Sequence, residues 1–215
     1  MDYDPRKNAL VREKVIEWYT QHGRDFPWRN TTDPYQILIA ETLLRRTTAS
    51  AVARVFNDFL SRFDTLERLA RSRESTIARA LVSLGLHSLR AKQLKKTASL
   101  IIKEYNGKIP RSYETLLSLP GVGQYIASAV RNFAFGDAVP LIDGNMIHFL
   151  SRVYGTQFTG PTDKNASEFV AQFGGSHQAE LYWGIIDLVA TICLRQSPRC
   201  SICPVSITCE WFETQ

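Results

Sequence analysis

Four cysteines, the chain's only four, lie within residues 193–209: Cys193, Cys200, Cys203 and Cys209, spaced C-x6-C-x2-C-x5-C. A chain that reads as intracellular and gathers every thiol into one short tract is building a metal or iron–sulfur centre rather than disulfides. Four thiolates suit either a tetrahedral zinc ion or a [4Fe-4S] cluster, and the spacing leaves both open. The paired Cys-x-x-Cys knuckles of a zinc ribbon are missing, because five residues separate Cys203 from Cys209.

Two more segments carry residues suited to chemistry. In LLSLPGVGQYIASAVRNFAFG, residues 116–136, an apolar helix end meets Pro120, Gly121, Val122 and Gly123, and a second helix starts with Ile126, Ala127, Ala129, Val130 and Phe133 inward. Pro120 stops the first helix. The glycines permit positive φ and let a phosphate reach the backbone N–H groups at the start of the second helix. Leu-Pro-Gly-Val-Gly between amphipathic helices therefore reads as a helix–hairpin–helix, a sequence-independent grip on a DNA backbone. In VPLIDGNMIHFLSRVYG, residues 139–155, Asp143 stands where an extended apolar run becomes a helix. Its expected role is an N-cap, and a carboxylate there stays ionised and fixed in orientation, ready to stabilise a developing cation.

The elements that must hold these residues are helical throughout. Apolar periodicity predicts a helix over 8–23, another starting at the Asp33 cap with Pro34 in its first turn and running to about Thr48, and others over 50–63, 74–83, 88–105 and 112–118. Loops are expected at 161–164 and at the Gly-Gly pair 174–175. No stretch shows strand alternation, so the fold class is all-α. The absence of an apolar signal core or a long apolar run predicts a soluble, cytoplasmic protein. Net charge is +5, but residues 45–104 alone hold 13 Lys/Arg against 5 Asp/Glu, so the rest is slightly acidic. A one-sided basic field suits a polyanion, with solvated helix faces as the plain alternative. His22, His87 and His177 show no ligand spacing and read as surface or packing residues.

Hairpin, aspartate and cysteine tail together resemble the helix–hairpin–helix DNA glycosylases related to endonuclease III and the MutY adenine glycosylase, from about residue 14 onward. The resemblance implies that the cysteines hold a [4Fe-4S] cluster. It also implies a six-helix barrel over 29–134 carrying the hairpin, and a discontinuous cluster domain from 1–28 and 135–215. Double-stranded DNA with a flipped base would bind in the cleft between, and a monomer is expected.

Three positions bear on the branch. Tyr125 stands where strand-cleaving relatives carry lysine; a phenol forms no Schiff base, so little lyase activity is expected. Otherwise Tyr125 reads as a core aromatic. Glu41, in DPYQILIAETLLRRTTA, shares an apolar helix face with Ile37, Leu38 and Leu44, and lone glutamates are rarely buried without a task. Adenine glycosylases carry a glutamate here but follow it with Gln-Gln-Thr, where this chain has Arg45-Arg46-Thr47-Thr48. RRTTA, FPWRNTTDPY and Tyr125 look most like the MIG-type thymine–DNA glycosylases, which remove thymine or uracil opposite guanine.

Asp143-Gly144-Asn145 is closer to the adenine enzymes, and His148 stands where relatives commonly carry a basic residue. No MutT-like domain is expected after Cys209, which weighs against the adenine branch. By the same resemblance Asp143, Glu41 and Tyr125 are catalytic or pocket residues, Arg46 and Leu86 are wedges, and Gly121 and Gly123 hold phosphate. Arg195 and Arg199, on the loop between the first two cysteines, would meet phosphate. Leu86 reads otherwise as an ordinary helix-end leucine. A glycosylase for a modified pyrimidine and a non-catalytic DNA-binding module are the remaining alternatives.

Overall fold

The structure is a computed structural model describing residues 4–174 and 179–214. Twelve α-helices and no strand occur among the described residues: α1 (Pro5–His22), α2 (Pro34–Leu44), α3 (Ala49–Arg62), α4 (Leu66–Arg71), α5 (Glu74–Ala80), α6 (His87–Tyr105), α7 (Tyr113–Ser118), α8 (Gln124–Phe135), α9 (Gly144–Val153), α10 (Lys164–Gly174), α11 (Ala179–Thr191) and α12 (Glu210–Glu213). Gly174 closes α10 rather than standing in a loop; Gly175 and His177 lie outside the described residues. Among the described residues no helix is long and apolar enough to cross a membrane. The chain divides into two compact units, one continuous (Asp25–Gly136) and one built from both ends (Met1–Arg24 with Asp137–Gln215).

The continuous unit is organised on α2. Asp33 caps it, its carboxylate accepting from Tyr35 N at 2.9 Å, with Pro34 at the first helical position. Ile37, Leu38, Ile39, Ala40 and Leu43 are all buried, because α3, α6 and α8 pack around this helix. A helix buried on nearly every side needs no polar stripe. α2 ends at Leu44, four residues before the predicted Thr48. Arg46 takes a left-handed φ of 52°, and Thr48 instead caps α3, its hydroxyl accepting from Ala51 N. α4 was not foreseen: Thr65 caps a six-residue helix that packs on α6.

In the second unit α1 packs on α10 and α11, and α9 packs on α11 and α12. Gly184 lets α1 and α11 approach closely, since a Cβ there would meet Val15 Cγ1 at 2.7 Å. Fully buried Asp187 of α11 takes the Arg24 backbone N–H at 2.7 Å and its Nε at 2.8 Å, fixing the end of the N-terminal segment.

Candidate functional site

In the continuous unit the hairpin forms as read. α7 ends at Ser118, Leu119 to Gly123 turn, and α8 begins at Gln124 with Gly123 at its N-cap. The glycines differ in use. Gly121 needs its freedom: φ is +81°, and a Cβ would meet Gln93 Cδ at 2.9 Å. Its carbonyl accepts from Arg45 Nη1 at 3.0 Å, and the Pro120 carbonyl accepts from Thr97 Oγ1 at 2.7 Å, so the turn is tied to α6 and the end of α2. Gly123 does not adopt positive φ, contrary to expectation; its φ is −100°. A Cβ there would meet nothing within 4 Å, so its value is the bare N–H surface at the start of α8.

The other predicted residues of this unit are disposed unequally. Glu41 is buried on α2 at 5% exposure. Tyr125, in the first turn of α8, is half-buried rather than a full core aromatic. Arg46 and Leu86 are exposed, and both hold left-handed backbone, at φ 52° and 48°. Leu86 is 53% exposed and stands at the N-cap of α6, a helix end as its plain reading had it.

In the second unit Asp143 is the N-cap of α9. Its Oδ1 accepts from Asn145 N at 2.9 Å and Met146 N at 2.8 Å, and its Oδ2 from Asn145 Nδ2 at 2.8 Å. Burial nevertheless outweighs these bonds and the nearby Arg195 charge, leaving the carboxyl above the ordinary aspartate value. The cap fixes the group as expected, but desolvation rather than the helix end dominates its protonation. Arg195 comes to this same end of α9, donating Nη2 to Gly144 O at 3.1 Å. Arg199 is exposed, its backbone N–H held by Ile192 O at 2.9 Å.

The opposite half of α9 reaches the cysteines. His148 Nε2 lies 2.9 Å from Cys193 O, and burial holds this imidazole below its ordinary value. Arg152 Nη1 donates to Leu194 O at 2.7 Å and lies 3.5 Å from Cys193 Sγ; its Nη2 donates to Arg195 O at 3.2 Å. Cys209 Sγ lies 3.5 Å from Arg152 O.

Cys193, Cys200, Cys203 and Cys209 line one small pocket, walled by apolar Phe149, Val153 and Ile192 among others. Among the described residues no group of three or more His, Cys, Asp or Glu is placed to hold a metal ion. Thiolates on a single zinc would crowd within about 2.3 Å of it, whereas an iron–sulfur cluster is a larger body with one thiolate on each corner. Four soft donors around one pocket suit either group. Burial raises the Cys193 and Cys209 thiols and pushes Cys203 to about 11.

Arg90, Arg152 and Thr47 were missed from sequence. Arg152 had a signal in retrospect: four residues after His148, it shares that residue's face of α9.

The chain matches the family described as HhH-GPD superfamily base excision DNA repair protein over residues 39–173. The thymine-DNA glycosylase of Aeropyrum pernix is 40% identical over 216 residues, covering 97% of each chain. A thymine/uracil-DNA glycosylase of Methanothermobacter thermautotrophicus is 33% identical, over 99% of this chain and 97% of that one. Among solved structures, a thermostable thymine-DNA glycosylase superposes with a TM-score of 0.92 at 34% identity, covering 98% of each chain. The chain belongs to the HhH-GPD superfamily of base excision DNA repair proteins.

Proposed function

We propose that this protein is a monofunctional DNA glycosylase that hydrolyses the N-glycosidic bond of thymine or uracil mispaired with guanine, acting as a cytoplasmic monomer on double-stranded DNA. The observation that carries the reaction is Asp143, a carboxylate locked by three hydrogen bonds at the head of α9. Full-length likeness to thymine and thymine/uracil glycosylases supports the choice of base.

Extruding the base costs a few kcal/mol, less for a wobble mispair. Exposed Arg46 and Leu86 are the residues assigned to the vacated stack. The N–H groups at Gly121 and Gly123 are assigned to the phosphate backbone, which binds without reading sequence. As the glycosidic bond breaks, the sugar gains positive charge and the pyrimidine leaves as an anion on its ring oxygens. Ionised Asp143 stabilises the oxocarbenium-like sugar and accepts the proton of the attacking water. Glu41 and Tyr125 are assigned to the base. Tyr125 has no amine with which to displace it, so the strand stays intact. Cys193, Cys200, Cys203 and Cys209 would hold a [4Fe-4S] cluster, which supplies a covalent tie for the C-terminal loops. Arg195 and Arg199 face solvent on that loop and suit phosphate.

The test is single-turnover base release from duplexes carrying T:G, U:G, A:8-oxoguanine and A:G, with and without alkali. Release at T:G and U:G, with strand breakage only after alkali, is expected. Release of adenine instead would move the protein to the adenine branch, and breakage without alkali would overturn the monofunctional assignment.

A further inference from the structure

Arg46 and Leu86 are large, exposed side chains on left-handed backbone. L-residues adopt this conformation reluctantly, and it persists only where the surroundings over-determine it. One side chain bonds to the backbone beside both residues. Arg90, in the first turn of α6, is 4% exposed. Its Nε donates to Gly85 O at 3.2 Å, immediately before Leu86. Its Nη1 donates to Thr42 O at 3.1 Å and Leu43 O at 2.5 Å, the open end of α2. Its Nη2 donates to Arg45 O and Thr47 Oγ1, each at 2.6 Å, on either side of Arg46. The Arg90 N–H completes the set by donating to Leu86 O at 2.9 Å. The Thr47 hydroxyl stands 3.3 Å from both Leu84 O and Arg45 O, so its one proton joins the two segments directly when it turns to Leu84.

Among the described residues every acceptor of the guanidinium is a backbone carbonyl or a hydroxyl, and none is a carboxylate. A buried charge compensated only by dipoles is a poor source of stability. A forked donor of five N–H groups is, however, well suited to fixing carbonyls from two separate segments at once.

We propose that Arg90 is a positioning residue for base extrusion: with Thr47 it holds Arg46 and Leu86 as a preformed pair of wedges, both projecting before DNA is met. The inference rests on the glycosylase reading above, and it assigns the cost of the strain to the free protein rather than to the binding step.

The test uses Arg90→Lys, which keeps charge but loses the fork, and Thr47→Val, which keeps shape but loses the hydroxyl. Each is measured by 2-aminopurine fluorescence beside a T:G mispair, by single-turnover release from T:G, and by release from the same thymine left unpaired in a bulge. For Arg90→Lys the unstacking signal falls and T:G release slows by about tenfold or more, while release from the bulge, which needs less extrusion, slows much less. Thr47→Val shows the same pattern at smaller amplitude and carries the test if Arg90→Lys does not fold. Parent-like unstacking in folded variants, or equal slowing on both substrates, overturns the proposal. A parent enzyme that neither unstacks nor releases thymine overturns the glycosylase reading itself.

Discussion

Replacing Asp143 with asparagine removes one negative charge while keeping the cap. The amide oxygen can still accept from Asn145 N and Met146 N, the bonds now made to Oδ1. The bond from Asn145 Nδ2 to Oδ2 is lost, at about 1 kcal/mol. Relief of the burial that raises the Asp143 carboxyl offsets part of this, so the fold should change in stability by less than about 1 kcal/mol. Catalysis should suffer far more. A unit charge about 4 Å from an oxocarbenium-like centre, at an effective dielectric near 20, contributes about 4 kcal/mol, or roughly a thousandfold in rate. Single-turnover release on a T:G duplex with enzyme in excess measures this, with fluorescence anisotropy for binding and circular dichroism for the melt. Release within tenfold of the parent, at unchanged affinity, would refute the assigned role.

The same carboxyl sets a pH dependence. Its raised value means that it takes up a proton at higher pH than an ordinary aspartate. The parent should therefore lose activity on acidification from above the ordinary aspartate range. Its contribution to stability has the opposite sense: fully present below the unfolded value, and lost as pH rises through the folded one. Asp143→Asn should lack that component.

Tyr125→Lys should introduce an enzyme–DNA adduct trappable by borohydride; its absence on a substrate the parent processes would place residue 125 away from the sugar. Gly121→Ala forces alanine to φ +81° against Gln93 and should cost about 1–2 kcal/mol, seen as a lower melting midpoint. Gly123→Ala meets nothing in the protein and should leave the melt unchanged while weakening DNA binding at low salt. Purified protein should contain iron and acid-labile sulfide, and Cys203→Ala should lose both and melt lower; stoichiometric zinc without sulfide would refute the cluster.

What was legible in the sequence was local. Asp33-Pro34 and Asp143-Gly144-Asn145 announce helix starts through residues two or three apart, and both caps form. The cysteine tract was legible because thiols are scarce and clustered. α4 escaped notice although its Thr65 cap, like that of Ser112 on the equally short α7, is a local signal. α2 was over-extended because what stops it comes from elsewhere: the carbonyls of Leu43 and Arg45 are claimed by Arg90, 47 and 45 residues away. Arg195 illustrates the same limit. Its exposed position on the cysteine loop was readable, but its bond to Gly144 O, 51 residues away, was not. Position in sequence says which residues can do chemistry, and packing decides which of them meet.

The unit made from both chain ends has a consequence for biosynthesis. α1 leaves the ribosome well before its partner α11, which begins only at Ala179. At translation speeds of about 5–20 residues per second, the apolar face around Val11 and Val15, fully buried in the finished protein, waits roughly 8–30 s for its cover. Residues 25–136 are synthesised well before then, and α3, α6 and α8 all pack on α2 within that stretch. The hairpin-bearing stretch is thus out of the ribosome while α1 still lacks the helix that covers it.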